Sequence, residues 1–218
     1  MKKPVLFYFP RACSLAAHIA LEESEIEYEK IIVDIKKGEN TSQDYLKLNP
    51  TGAIPALVNG DFVLTETHAI LTFIGDVISQ GKLLPETGSI KRYQAHEWMN
   101  FLSSSVHTYI RSIFRSSVYA GEDPHINHEV VKQGKRNLSK AILTVEKRLP
   151  ETGWALGDEF SVVDCYLFIM YLWSTDERVG SMPERPKWRN LARRIWDREC
   201  VKRVVEFEQQ FRNYEIPL

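Results

Sequence analysis

The 218 residues are 44% hydrophobic and 26% charged, enough apolar side chain to bury one large or two small cores without metal or disulfide staples. With 28 basic and 29 acidic side chains the formal charge is −1, which excludes a global field for nucleic acid or an anionic membrane. No apolar run reaches the roughly 18 residues that span a bilayer, and Cys13, Cys165 and Cys200 lack zinc-site or disulfide spacing, which points to a reducing cytoplasm and a small, locally recognised partner.

Val5 to Phe9 is a short apolar and aromatic run ended by Pro10, a strand rather than a signal peptide. Cys13 then precedes a helix over Ser14 to Glu23, whose Leu15, Ala16, Ile19 and Ala20 fall at helical spacing, and Ile26 to Val33 returns to strand composition. This β-α-β order implies a parallel strand pair. After a polar stretch with weak helical character over Gly38 to Lys47, Asn49-Pro50-Thr51-Gly52 marks a turn. Asn59-Gly60 then pairs Ala56 to Val58 with Phe62 to Leu64 as a hairpin. Thr67 to Ile78 reads as a helix with Ala69, Ile70, Phe73, Ile74 and Val77 on one face.

Residues 81–89 carry two glycines and Pro85, a linker, and beyond them strand signals nearly vanish. Ile90 to Phe114, Glu129 to Leu149, Val162 to Trp173 and Trp188 to Phe211 each read as a helix. Ser161-Val162-Val163-Asp164 has capping-box spacing and a structural role. The basic run from Lys187 to Arg203 is interleaved with acids over an apolar face, so it is a solvated amphipathic helix and not a nucleic-acid surface.

Position alone marks Cys13 as the cysteine of interest, because a helix start lowers a thiol pKa, and Arg11 adds positive charge beside it. Cys165 and Cys200 read as core. Tyr8-Phe9-Pro10-Arg11-Ala12-Cys13-Ser14, Asn49-Pro50-Thr51-Gly52 leading to Ile54-Pro55, Thr65-Glu66-Thr67 leading to Ala69-Ile70, and Gly157 to Asp164 together resemble the glutathione transferase family, with Cys13 and His107 similar to its bacterial beta class. The resemblance implies a thioredoxin-like α/β domain over 1–82 and an all-α domain over 89–218, joined in a cytoplasmic homodimer. It further implies glutathione as co-substrate without a metal, and conjugation of the glutathione thiol to a small hydrophobic electrophile.

By the same resemblance Cys13 and His107 are catalytic. Cys13 either donates a hydrogen bond to the glutathione sulfur or forms a mixed disulfide with it; Tyr8 and Ser14 are the competing hydroxyls near the strand end. Ile54 and Pro55, joined by a cis bond, offer an edge to the tripeptide. Glu66 receives its ammonium and Thr67 its γ-glutamyl carboxylate. A lysine after the second strand, Lys37 or its neighbour Lys36, meets the glycyl carboxylate. Asn100 lies seven positions before His107, about one face after two turns, and Tyr8 and Ser104 join it among the glutathione contacts; Ser105 stands where relatives often carry a carboxylate. A reactive Cys13 also suits a glutathione-dependent disulfide reductase or peroxidase, and the fold also suits a non-catalytic module that binds a protein partner.

Overall fold

A computed structural model describes residues 3–218. The first half holds strands β1 (Val5–Tyr8) and β2 (Glu29–Ile32), helices α1 (Ser14–Glu23) and α2 (Gln43–Leu48), strands β3 (Ala56–Asn59) and β4 (Phe62–Thr65), and helix α3 (Thr67–Phe73), which runs on as a π-helical turn over Ile74–Ile78. The sheet order is β2-β1-β3-β4, with β1 parallel to β2 and antiparallel to β3, and the β3–β4 hairpin closes on the Asn59–Phe62 pair. The β-α-β unit and the hairpin are as expected, and together they make the thioredoxin-like arrangement that the resemblance implied.

Beyond it, all the described elements are helices: α4 (Ile90–Phe101), α5 (Thr108–Phe114), α6 (Ser117–Ala120), α7 (Pro124–Arg148), α8 (Val162–Ser174), α9 (Pro186–Trp196) and α10 (Glu199–Gln209). A π-helical turn over Leu102–His107 joins α4 to α5, so the expected single helix from Ile90 to Phe114 is one rod with a widened turn inside it. Helix α7 begins before Glu129 because Asp123 caps it through the His125 and Ile126 amides and Pro124 sits in its first turn. The expected helix from Trp188 to Phe211 is two, broken where Arg198 turns extended; its guanidinium pairs with Glu23 and lies 4.2 Å from the Phe160 ring centre.

Helix α8 is buried along nearly all its length and packs on α1, so one continuous core joins the two halves. Its start is the expected capping box: Asp164 accepts from the Ser161 amide at 2.9 Å and hydroxyl at 3.0 Å, and from the Ala155 amide at 2.8 Å. Helices α5 and α7 cross closely at Gly134, where a Cβ would meet the Ser112 hydroxyl at 2.3 Å.

Candidate functional site

The site forms where the β1–α1 loop meets the helical half. Arg11 takes a left-handed φ of 60°, and three groups from the C-terminal half hold the loop that way. The Arg11 amide donates to Glu208 at 2.9 Å, the Trp173 indole donates to the Arg11 carbonyl at 2.9 Å, and Arg212 donates to the Pro10 carbonyl at 3.1 Å. Glu208 is fully buried and also bonds His18 at 2.9 Å, so α10 fixes both the loop and α1 behind it. Cys13 sits at the helix start as expected.

Across from it, the Ile54–Pro55 bond is cis, and the Ile54 carbonyl accepts from the Cys13 thiol at 3.2 Å. The preceding turn is fixed by Tyr45 and Asn49, which both donate to the Ala53 carbonyl, at 2.6 and 2.7 Å. Gly52 is required there: its φ is 63°, and a Cβ would meet the Asn40 carbonyl at 3.0 Å.

Two adjoining clefts, of about 450 and 250 Å³, share Cys13, Ala53, Ile54, His107 and Arg111. The smaller adds Pro55, Glu66 and Thr67, so with Ile54 four of the residues expected to hold the tripeptide lie together. Glu66 has a φ of 68°, and its exposed carboxylate has no ion-pair partner among the described residues. The larger cleft runs from Lys36, Thr51 and Gly52 to Phe114, Trp173 and a group of arginines on the helical side.

The chemistry of Cys13 differs from the sequence expectation of a thiol with a lowered pKa. It is 7% exposed, and burial pushes the thiol up to about 11; the Thr67 hydroxyl and the first amides of α1 pull it down without overcoming the loss of water. His107 is moved the same way toward neutrality: burial, helped by Arg111, lowers its pKa to about 4, and its ring lies edge-on to Trp173 with centres 5.0 Å apart. At neutral pH the site therefore offers a thiol and an uncharged imidazole.

Five expected residues, Tyr8, Ser14, Lys37, Ser104 and Asn100, line neither cleft. Tyr8 is 1% exposed and lines neither cleft; its ring packs against His18 inside the core, and burial raises its hydroxyl pKa. Ser14, its rival, is fully buried and exchanges both its hydrogen bonds with Phe9. Lys37 points to solvent and pairs with Asp34 at 3.4 Å, and it is Lys36 that lines the large cleft. Ser104 turns its hydroxyl back to the Asn100 carbonyl at 2.8 Å, leaving Ser103 to face the smaller cleft.

Asn100 is separated from His107 by the π turn, which rotates it off the shared face. It contacts His68 at 3.1 Å in a shallow groove between α3 and α4. Sequence reasoning passed over Arg111 and Arg115. Their signal was present, since both follow His107 at intervals of four along one helical stripe. Among the described residues, no group of three or more His, Cys, Asp or Glu side chains is placed to hold a metal, and no helix is long and apolar enough to cross a membrane.

Family models for the glutathione S-transferase N-terminal and C-terminal domains match residues 5–76 and 107–198. The chain is 34% identical to glutathione S-transferase GstA of Escherichia coli O157:H7 over 78% of its own length and 81% of that protein's. It is similar in structure to a glutathione transferase homologue from Sulfitobacter with bound glutathione (TM-score 0.86, 28% identity, covering 95% of this chain and 99% of the other). A bacterial beta class glutathione S-transferase from Sphingomonas chungbukensis is also similar (TM-score 0.79, 32% identity, 94% and 98%).

Proposed function

The chain belongs to the glutathione S-transferase family and is a glutathione transferase, and we propose that it joins the glutathione sulfur to an electrophilic carbon at the seam where its two clefts share Cys13 and His107. The tripeptide lies along Ile54, with its ammonium on Glu66 and its γ-glutamyl carboxylate on Thr67. Its glycyl carboxylate reaches toward Lys36. Backbone pairing with Ile54 takes the carbonyl that the Cys13 thiol now uses, which frees the S–H to donate to the glutathione sulfur. The glutathione thiol gives its proton to solvent, its sulfur forms the new C–S bond, and the leaving group departs with its electron pair. His107, neutral, serves as a hydrogen-bond donor beside the sulfur and not as a store of protons.

The observation that carries this division of labour is the burial of Cys13, 7% exposed and bonded to the Ile54 carbonyl, which pushes its thiol up to about 11 and leaves only about one in 10,000 as thiolate at pH 7. Alkylation of the native protein across a pH series is therefore expected to rise toward about 11, with little labelling at pH 7. Cys13→Ala should lose roughly tenfold or less in conjugation, since one weak S–H donor is removed. A Cys13–glutathione mixed disulfide accumulating in turnover, seen by intact mass, would instead establish the reductase or peroxidase reading. Absence of glutathione binding by calorimetry would leave the non-catalytic module.

The protein further acts as a homodimer and, with three free thiols, in a reducing cytoplasm. Support for the dimer comes from the groove between α3 and α4: Phe62 and Val77 are each 43% exposed beside it, Phe62 packs on Phe73, and Asn100 is exposed in its lining. Light scattering is expected to give twice the 25.3 kDa chain mass at micromolar concentration; a monomer alone sinks this assignment.

A further inference from the structure

Five arginines, Arg11, Arg111, Arg115, Arg178 and Arg212, line the larger cleft together with Lys36, against one carboxylate, Asp176. Across the whole chain the charges nearly cancel, so this surplus is local. Exposed arginines are often only solvated surface charge, and the question is whether these already have partners. Asp176 is spent: Arg178 binds it at 2.7 and 2.9 Å through two nitrogens, and Arg11 approaches at 3.7 Å. Arg212 donates to the Pro10 carbonyl and lies 5.6 Å from the Phe9 ring centre. Arg111 and Arg115 have no acidic partner among the described residues, although both belong to the cleft wall four residues apart on the His107 stripe.

Bound glutathione does not remove the excess. Its thiolate form carries a net charge of about −2, and its carboxylates go to Thr67 and to Lys36 on the other wall. Arg111 and Arg115 line the same cleft as three rings, Phe9, Phe114 and Trp173, while Arg178, already paired with Asp176, lies 3.7 Å from the centre of the Phe114 ring. Aromatic faces with free, forked donors suit a flat unsaturated body bearing an acidic group, because guanidinium binds carboxylate and sulfonate through paired hydrogen bonds.

We propose that the second substrate is an anionic electrophile, an aromatic or unsaturated carboxylate or sulfonate, whose acidic group is held by Arg111 and Arg115. This rests on the transferase reading, and it replaces a purely hydrophobic second substrate by one with a fixed negative charge. Turnover of 4-chloro-3-nitrobenzoate and of the neutral 1-chloro-2,4-dinitrobenzene tests it, each rate being divided by the uncatalysed rate with free glutathione. In both reactions the glutathione sulfur forms a bond to the ring carbon, chloride leaves with the C–Cl electron pair, and the thiol proton passes to solvent.

The rate enhancement for the benzoate should exceed that for the neutral probe by roughly tenfold or more. Raising the salt to about 0.5 M should erode that preference, which reads the charge without any substitution. The Arg111→Gln/Arg115→Gln double variant should bring the ratio near one. A parent ratio at or below one, a ratio insensitive to salt, or one that survives the double substitution overturns the proposal. Calorimetric titration of the parent with glutathione separates the two levels: without glutathione binding the transferase reading itself falls, whereas binding together with a ratio near one overturns only the anionic substrate.

Discussion

Asp164→Ala is expected to unfold about 3–5 kcal/mol more easily than the parent, with a melting temperature lower by roughly 10 °C. The carboxylate is fully buried at the start of α8 and is the acceptor for the Ser161 amide, the Ser161 hydroxyl and the Ala155 amide. Removing it strands two backbone donors where water cannot replace it, each costing about 1–3 kcal/mol. Helix α8 also carries the contact with α1, so the damage extends to both halves. Burial raises the Asp164 pKa from 3.8 to about 6, which means that the folded state favours the protonated acid. Its stabilisation is therefore present below pH 4 and is lost as pH rises through about 6, a change of about 3 kcal/mol in unfolding free energy. Urea titrations across this window should show that fall in the parent and its loss in Asp164→Asn. An alanine variant within about 1 kcal/mol of the parent would mean that the three donors find other partners.

Local patterns carried the first half of the fold into view. Pro10 after a short apolar run, a helix starting at Ser14, and Asn59-Gly60 between two runs are decided by neighbouring residues, and the fold has a strand, a helix and a hairpin at these places. The π turns over Ile74–Ile78 and Leu102–His107 were not legible, because a widened turn keeps the composition of an ordinary helix while rotating everything after it. That rotation separates Asn100 from His107. The break at Arg198 was hidden for a related reason: it is made by an ion pair with Glu23, 175 residues away along the chain.

In the site, residue types were easier to read than their surroundings. Cys13, Ile54, Pro55, Glu66, Thr67 and His107 stand around the two clefts, since motif order fixes which loops meet at the sheet's end. The state of Cys13 was misjudged because position at a helix start speaks for a thiolate, whereas its pKa is dominated by burial, a tertiary effect that the Thr67 hydroxyl only partly offsets. Tyr8 failed for the opposite parity of the same strand: alternate residues of β1 point to opposite faces, and the one before Phe9 turns into the core. Of the two lysines in the turn after β2, Lys37 is drawn to Asp34 and only Lys36 reaches the cleft.

Glu66→Gly is expected to raise stability and to weaken glutathione binding in the same protein. Glu66 holds a φ of 68° with a ψ of 121°, a region that residues with a Cβ rarely enter and that costs about 1–3 kcal/mol. Glycine adopts it freely, so relief of the strain outweighs glycine's greater loss of chain entropy, and the variant should gain up to about 1 kcal/mol against urea. The carboxylate contributes nothing to offset this, having no ion-pair partner among the described residues. With glutathione bound, the same carboxylate is the acceptor for the ammonium, and losing that charge-assisted bond should weaken binding by about tenfold to a hundredfold. Glu66→Ala separates the two effects: it loses the affinity and keeps the strained backbone, so its stability should stay near that of the parent. Calorimetry and urea denaturation on the three proteins give both numbers. Glutathione binding to Glu66→Ala as tight as to the parent would remove the ammonium contact from Glu66, and a glycine variant no more stable than the alanine one would show that the turn before α3 carries no strain.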